Sequence, residues 1–163
     1  MSYDVFIKID GIEGESSDAK HAGWIEVTSY GVAYSQNISS APSSAGGKSA
    51  ERADFSDFTF SKFIDKASPL LALACASGTH IDNVIVELCR AGGEKIKFMK
   101  YKLTNCIISS VKAESKGKRF FPKEHININF GKIEWFYTLQ KRHGGWAAGQ
   151  IAGGWNLEKN AIV

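Results

Sequence analysis

The chain has 163 residues, of which 44% are hydrophobic and 23% are charged, and these are the values of an ordinary globular protein. A chain of this length buries roughly 70% of its extended surface on folding, so it needs neither a disulfide nor a metal to hold a core together. The formal charge of +3 is too small to indicate a nucleic-acid or membrane-surface protein by itself. We therefore expect one domain over residues 1–163.

The cysteines and the N-terminus both indicate the cellular compartment in which the chain folds. Cys75, Cys89 and Cys106 are widely spaced and form no C-x-x-C motif, which favours free thiols in a reducing compartment. The N-terminus lacks a basic segment followed by an apolar run, and no apolar run approaches ~18 residues. We therefore expect cytoplasmic folding, no signal peptide and no membrane insertion.

The first third of the chain is predicted to form strands. Tyr3, Val5, Ile7 and Ile9 alternate with Asp4, Phe6, Lys8 and Asp10, which is the period of a half-buried strand. Residues 24–36 are rich in β-branched and aromatic residues and predict a second, long strand. After the polar run "NISSAPSSAGGKSAER" (37–52), a further strand is predicted in which Phe58 and Phe60 share one face.

One segment, residues 69–77, predicts a short helix. Ser68 is a candidate N-cap, and Pro69 suits the first helical position because its missing N–H has no partner there. Gly78 suits the left-handed conformation that ends many helices. A helix of about nine residues is marginal alone and has to be held by packing.

The second half of the chain again predicts strands. "AGGEK" (91–95) predicts a hairpin turn. In the strand that contains Ile126, the apolar positions change parity at Gly131–Lys132, which predicts a β-bulge. Trp146 and Trp155 predict that the Gly-rich C-terminal segment docks on the rest of the fold. The pattern as a whole favours six to eight antiparallel strands with one helix, as a small barrel or tight sandwich.

The residues meet no catalytic or metal template. The acidic turn with Asp10, Glu13, Glu15 and Asp18 misses the spacing of an EF-hand loop and is interpreted as a solvated turn. The four histidines have no zinc-type spacing. A nucleophilic Cys75 paired with a distant histidine stays open as a hydrolase hypothesis, although a buried inert thiol is the more common arrangement.

Two basic segments leave a second hypothesis open. Residues 95–102 and 112–123 combine lysines with aromatic residues, Phe120 and Phe121 beside Arg119 among them. Cations interleaved with stacking aromatics are typical of single-stranded nucleic-acid-binding small β-barrels, which we keep as the alternative function.

The polar run 37–52 raises a separate question, because a long Ser/Gly-rich segment inside a compact fold usually has a use. A linker, an active-site lid and an arm that reaches another molecule are all possible. Long strands with few edge defences favour pairing with another chain.

Several segments together resemble one family. They are "FIKIDGIEGES", "FTFSKFIDKASPLLALACASGTH", "RAGGE", "SSV" and "GGWNLEKN", in this order along essentially the whole chain. The sequence resembles the haemolysin-coregulated protein (Hcp) family, the tube proteins of bacterial type VI secretion systems. The helix-containing segment is the most specific, because its residue mix is not dictated by secondary structure alone.

The resemblance implies a fold and a function. The fold would be mainly β, a small antiparallel β-barrel of two packed sheets with one short α-helix at its side and an extended loop. Six chains would form a ring, and rings would stack into a tube that meets spike, sheath and baseplate components. The protein would assemble in the cytoplasm, be secreted without a signal peptide, and carry effector proteins in its lumen as a chaperone. It would not be an enzyme, and it would have no cofactor, metal site or nucleic-acid partner.

The resemblance also assigns candidate residues. The arm at about 37–52 would contact the neighbouring ring, and its composition here, with Pro42, differs from that of many relatives, as does the basic "KGKRFF". The residues assigned to ring stacking are Ser39, Ser40, Pro42, Gly46, Gly47, Lys48, Glu51 and Arg52. The residues assigned to the lumen or to effector contact are Ser29, Tyr30 and Gly31.

Overall fold

A computed structural model describes residues 2–39, 49–140 and 147–163. In these ranges the chain forms eleven β-strands and one helix. The strands are β1 Tyr3–Ile9, β2 Ile25–Val27, β3 Ser29–Gly31, β4 Tyr34–Ser39, β5 Ser49–Phe55, β6 Phe58–Phe63, β7 His80–Arg90, β8 Lys97–Glu114, β9 Lys123–Gln140, β10 Ala147–Asn156 and β11 Ala161–Ile162; the helix α1 is Ser68–Ser77. The long strand predicted over residues 24–36 is thus divided among β2, β3 and the start of β4.

The strands pair antiparallel in the order β11-β10-β9-β8-β7-β1-β2, with β4 and β5 as a separate hairpin. The 18-residue strands β8 and β9 form the centre, and β9 pairs along its other side with β6 in its first half and with β10 in its second half. The ladder is not closed into a barrel. β2 pairs with β1 and β3 pairs with β6, and the pairing changes at Thr28, whose N–H donates to the Ser61 carbonyl at 2.8 Å.

The core follows from period-2 alternation. Ile7, Val86, Leu103, Ile126 and Ile133 are fully buried, each on a different stretch of the central strands. The apolar residues on the buried faces of these strands therefore form one hydrophobic cluster, and Leu71 of the helix packs into the same cluster. The prediction of a mainly β, antiparallel fold with one short helix is confirmed.

The helix ends as expected but does not begin as expected. Gly78 has φ +62°, and the N–H groups of Gly78 and Thr79 donate to carbonyls of the last turn, so a left-handed residue ends the helix. The N-cap position is Ala67, without a side-chain cap. The expectation that Ser68 caps the helix is wrong, because its hydroxyl is engaged in a buried polar cluster.

That cluster has Lys62 at its centre, and the side chain of Lys62 is fully buried. Its Nζ lies 2.7 Å from Asp65 Oδ1 and 2.9 Å from Glu124 Oε2, and it donates to Ser68 Oγ at 3.1 Å and to the Phe63 carbonyl at 3.1 Å. Ser68 Oγ donates in turn to Glu124 at 2.8 Å. The ion cluster therefore joins the end of β6, the start of α1 and the start of β9.

The β-bulge predicted at Gly131–Lys132 is not at that position. The β8–β9 register runs without a slip from Thr104↔Lys132 to Cys106↔Phe130, and the slip lies instead between Ile108 and Ser110. The buried face of β9 changes near Gly131, between the stretch that pairs with β6 and the stretch that pairs with β10.

The C-terminal segment docks on the fold as expected for Trp155, which pairs with Ile133 and packs on the core. Trp146 lies outside the described residues. Across the described ranges there is no helix with the length and apolarity to cross a bilayer.

Candidate assembly surfaces

The arm is a two-stranded hairpin wherever the structure describes it. β4 and β5 pair from Tyr34↔Phe55 to Ser39↔Ser49, with a register slip between Gln36 and Ile38. Strand structure therefore takes up both ends of the segment that was expected to be a loop. Residues 40–48 lie outside the described residues.

The root of the arm is fixed by aromatic contacts. The Tyr34 ring lies 5.2 Å from the ring of Phe55 and 5.3 Å from the ring of Trp135, which belongs to β9. Trp135 Nε1 donates to the Tyr34 hydroxyl at 2.8 Å. Burial raises the pKa of Tyr34, and the hydrogen bond from Trp135 opposes that rise. The arm is therefore anchored at its base to the central sheet.

The candidate stacking residues divide into two groups. Ser39 ends β4, and Glu51 and Arg52 lie on β5. Arg52 Nη2 donates to the Leu157 carbonyl at 2.9 Å, so this side chain ties the arm to the segment after β10. The role of the other candidates in stacking stays a prediction, because they lie outside the described residues: Ser40, Pro42, Gly46, Gly47 and Lys48.

The three candidate lumen residues lie together on β3, opposite β6. Tyr30, however, is half-buried: its ring stacks at 5.8 Å on Phe58, and its hydroxyl lies 3.4 Å from that of Tyr101. Burial, followed by the contact with Tyr101, raises the pKa of Tyr30 above its ordinary value. Tyr30 therefore packs against the core. At Gly31, an added Cβ would lie 3.2 Å from Thr59 Oγ1, so there is little room for a side chain. Ser29 is the exposed member of the group.

Ser29 lines an open cavity of about 570 Å³ at the loop that joins β8 to β9. The cavity is also lined by Ser61, Phe63, Glu114, Lys116, Arg119, Phe120, Phe121, Lys123 and His125. Ser61 Oγ lies 2.7 Å from His125 Nδ1, and His125 Nε2 lies 2.8 Å from Glu114 Oε2, a contact that lowers the pKa of Glu114. Sequence analysis missed this cavity, because only the β6–β9 and β8–β9 registers bring these residues together.

The cysteines are mostly buried. Burial raises the pKa of Cys89 to about 11 and that of Cys106 to about 12, and both side chains are inaccessible. Cys75 is half-buried on α1 and packs against the core. In the described ranges, the cysteine that contacts a histidine is Cys89, whose Sγ lies 3.9 Å from His21 Nε2, and not Cys75.

We expect iodoacetamide at pH 8 to leave Cys89 and Cys106 unmodified in the folded protein and to modify them rapidly in urea. The reason is that alkylation requires an accessible thiolate, and burial suppresses both accessibility and ionisation. Mass spectrometry of the peptides gives the site-by-site rates, with Cys75 as the internal comparison. Equal native rates at all three cysteines would contradict this assignment.

The fold and these surfaces define an antiparallel β protein with an anchored, projecting hairpin arm. The model of the family described as "Type VI secretion system effector, Hcp" matches residues 6–137. Protein hcp1 of Pseudomonas aeruginosa is 34% identical over 161 residues, which are 98% of each chain. The crystal structure of Hcp1 from Salmonella typhimurium is 31% identical with a TM-score of 0.81 and covers 100% of both chains. A structure described as a type six secretion system protein is 30% identical with a TM-score of 0.93 and covers 99% and 100%.

The chain belongs to the Hcp family of the type VI secretion system. Its role is therefore structural, that of a tube protein, and its homologues are secreted proteins of this system. The resemblance seen in the sequence is confirmed, and so is the family's mainly β fold.

Proposed function

We propose that this chain forms hexameric rings that stack into a tube, is exported from the cytoplasm without a signal peptide, and carries effector proteins in its lumen. The observation that carries the proposal is the match to protein hcp1, which extends over 98% of both chains. Spike, sheath and baseplate components are the partners that such a tube would meet. No cofactor or enzymatic activity is part of the proposal.

The sheet edges support assembly with other copies of the chain. In the described ranges β5 pairs only with β4, and β2 pairs only with β1, so each has a side without a strand partner. Unpaired edges bind other chains readily, and symmetric closure is the usual way in which they are satisfied. The arm adds an exposed surface, with Ile38 more than half exposed.

Replacing residues 40–48 with Asn-Gly is expected to leave rings intact and to abolish tubes. Ser39 and Ser49 are register partners, so a two-residue type I′ turn joins them without disturbing β4 or β5. Mass photometry measures the mass of the assembly and therefore the number of chains in a ring. Negative-stain imaging of concentrated protein shows whether the rings stack and how long the tubes are. Tubes of normal length would show that the arm makes no inter-ring contact, and monomers would show that it belongs to the interface within the ring.

Replacing Ser29 with Arg is expected to keep the ring and to reduce the amount of effector protein that leaves the cell with it. Ser29 lies on the wall of the cavity, so a bulky cation there narrows and charges the proposed contact surface. The matched control is Ser35→Arg on the arm strand β4, where the side chain is exposed. Quantitative mass spectrometry of the culture supernatant compares the two variants. Equal effector levels would remove Ser29 from the lumen assignment.

Two lysines of the basic segments contact rings of their own chain, which weakens the alternative of a single-stranded nucleic-acid binder for these two cations, although Phe120 and Phe121 are each 65% exposed. Lys100 lies over the Phe136 ring at 5.3 Å and Lys123 over the Phe63 ring at 5.1 Å. Lys102 is the register partner of Glu134 on β9. These cations and rings contact one another, whereas a binder would present them to bases and phosphates. That the chain has no nucleic-acid partner stays a prediction.

A further inference from the structure

His21, in the loop between β1 and β2, has an unusual environment. Its ring stacks on Phe6 at 4.2 Å, Trp24 packs against it edge-on at 4.8 Å, and the residue is only 2% exposed. Nδ1 lies 2.7 Å from Asp18 Oδ1, and Nε2 lies 2.8 Å from Glu87 Oε2. Both ring nitrogens of a buried histidine therefore face carboxylate oxygens.

The lysines nearby do not fill the space between Nε2 and Glu87. Lys95 Nζ lies 2.9 Å from Asp18 Oδ2, and Lys97 Nζ lies 3.2 Å from Glu87 Oε1. These are the carboxylate oxygens that do not contact His21. A neutral imidazole has a single N–H, and an ionised carboxylate only accepts. The 2.8 Å distance between Nε2 and Glu87 Oε2 is that of a hydrogen bond, which a proton on Nε2 satisfies. A metal ion bound by both atoms would take the place of that proton.

A third ligand atom distinguishes a metal ion from a proton. Cys89 follows Glu87 by two residues on β7, so both side chains lie on one face of the strand, and Cys89 Sγ lies 3.9 Å from His21 Nε2. The three donor atoms all lie within 4.8 Å of one another. A tetrahedral Zn²⁺, with bonds of about 2.0–2.3 Å, places its ligand atoms about 3.3–3.7 Å apart. To reach that geometry, Nε2 and Oε2, which are 2.8 Å apart, have to separate by about 0.5 Å, and Sγ has to approach the Glu87 oxygen from a distance of at most 4.8 Å.

We propose that His21 Nε2, Glu87 Oε2 and Cys89 Sγ form a binding site for a zinc-class divalent cation. Asp18 is the positioning residue, because it accepts the Nδ1–H and fixes the tautomer that leaves Nε2 free to coordinate, as carboxylates do behind metal-bound histidines. Water completes the coordination. Spacing along the chain argued against zinc, but the ligands come from two segments more than sixty residues apart. The site stands independently of the proposed function.

Binding at this site competes with protons. Burial first, then the charges of Glu87 and Asp18, raises the pKa of the Cys89 thiol to about 11. Lys95 and Lys97 oppose that rise, and Asp4 reaches the cluster through Lys95 at 3.1 Å. The thiol has to lose its proton to the solvent as the cation binds, so affinity increases with pH and binding releases protons. The cation gains access when Lys97, which is partly exposed, leaves Glu87.

Co²⁺ is the probe, because a thiolate ligand gives cobalt an absorption band that other ligands do not. The full-length protein, freed of metal with a chelator, is titrated with Co²⁺ and then with Zn²⁺. We expect one Co²⁺ per chain, a thiolate-to-cobalt band that Zn²⁺ removes, and proton release. Asp18→Asn should weaken Co²⁺ binding by about 10- to 100-fold.

Cys89→Ser should remove the cobalt band, and Cys106→Ser, at an equally buried cysteine on β8, is the matched control that should retain it. Glu87→Gln keeps the shape of its side chain and serves as a second test if Cys89→Ser does not fold. No saturable band in the wild type, or equal bands in the two cysteine variants, overturns the proposal and leaves a proton between Nε2 and Glu87. Loss of rings or tubes would contradict the proposed function but not this site.

Discussion

Replacing Lys62 with methionine is expected to lower the free energy of unfolding by about 3–5 kcal/mol, because removing one partner of a buried ion cluster leaves the others uncompensated. Lys62 is fully buried, and its ammonium contacts both Asp65 and Glu124. Glu124 is itself buried, so its charge has little access to water once Lys62 is absent. Urea unfolding followed by tryptophan fluorescence, at one fixed chain concentration, measures the change.

The matched control is Lys66→Met, four residues along the same segment. Lys66 is 53% exposed and lies 3.6 Å from Glu13, and such surface pairs contribute at most about 1 kcal/mol. A second variant isolates the cause: adding Glu124→Gln to Lys62→Met removes the orphaned charge and should restore part of the loss. If Lys62→Met and Lys66→Met cost the same, the cluster is not what holds α1 to β6 and β9.

Replacing Gly14 with alanine is expected to cost about 1–3 kcal/mol through overpacking. A Cβ at Gly14 would overlap the Trp24 carbonyl oxygen and lie 2.7 Å from the Ile25 backbone, neither of which can move without displacing β2. Gly14 N–H also donates to the Gly23 carbonyl at 2.8 Å, which holds the two sides of this loop together. The same urea unfolding experiment gives the change in free energy.

Gly153→Ala is the control for Gly14→Ala. The nearest atom to a Cβ at Gly153 is a ring carbon of Trp135 at 3.8 Å, an ordinary contact, so the change should stay within about 0.5 kcal/mol. Because the loop of Gly14 also carries Asp18 and His21, the Gly14 variant should weaken Co²⁺ binding, whereas the Gly153 variant should not. Equal free energies of unfolding for the two variants would contradict the prediction, because they would mean that the backbone around Gly14 shifts enough to accept a Cβ.

The buried ion cluster draws three of its residues from the segment whose resemblance to the family was the most specific. Lys62, Asp65 and Ser68 all lie within "FTFSKFIDKAS", and all three belong to the cluster. A strand followed by a helix can form without these residues. A buried ammonium group, however, needs a carboxylate and hydrogen-bond partners close to it, which Asp65 and Ser68 supply. Burial of Lys62 itself was not predictable, because its second carboxylate comes from Glu124, more than sixty residues away.

Strands, the helix and the mainly β fold could be predicted because period-2 alternation and the Pro69–Gly78 limits are local signals. Features that depend on pairing were missed. The bulge assigned to Gly131 came from a change in the parity of the apolar residues, but the strand changes its buried face there without a register slip against β8. The ligands around His21 were invisible for a similar reason, because Glu87 and Cys89 reach it only after β1 pairs with β7. Asp18, interpreted as a solvated turn residue, is instead mostly buried against His21.

Among the described residues, hydrogen bonds attach the arm to two different parts of the sheet. Trp135 holds its root to β9, and Arg52 holds its side to the segment that follows β10. A load that reaches β4 and β5 is therefore divided between β9 and the segment after β10. If the arm contacts the next ring, as proposed, it would transmit strain from one ring into the sheet of the other, and not merely keep neighbouring rings in contact.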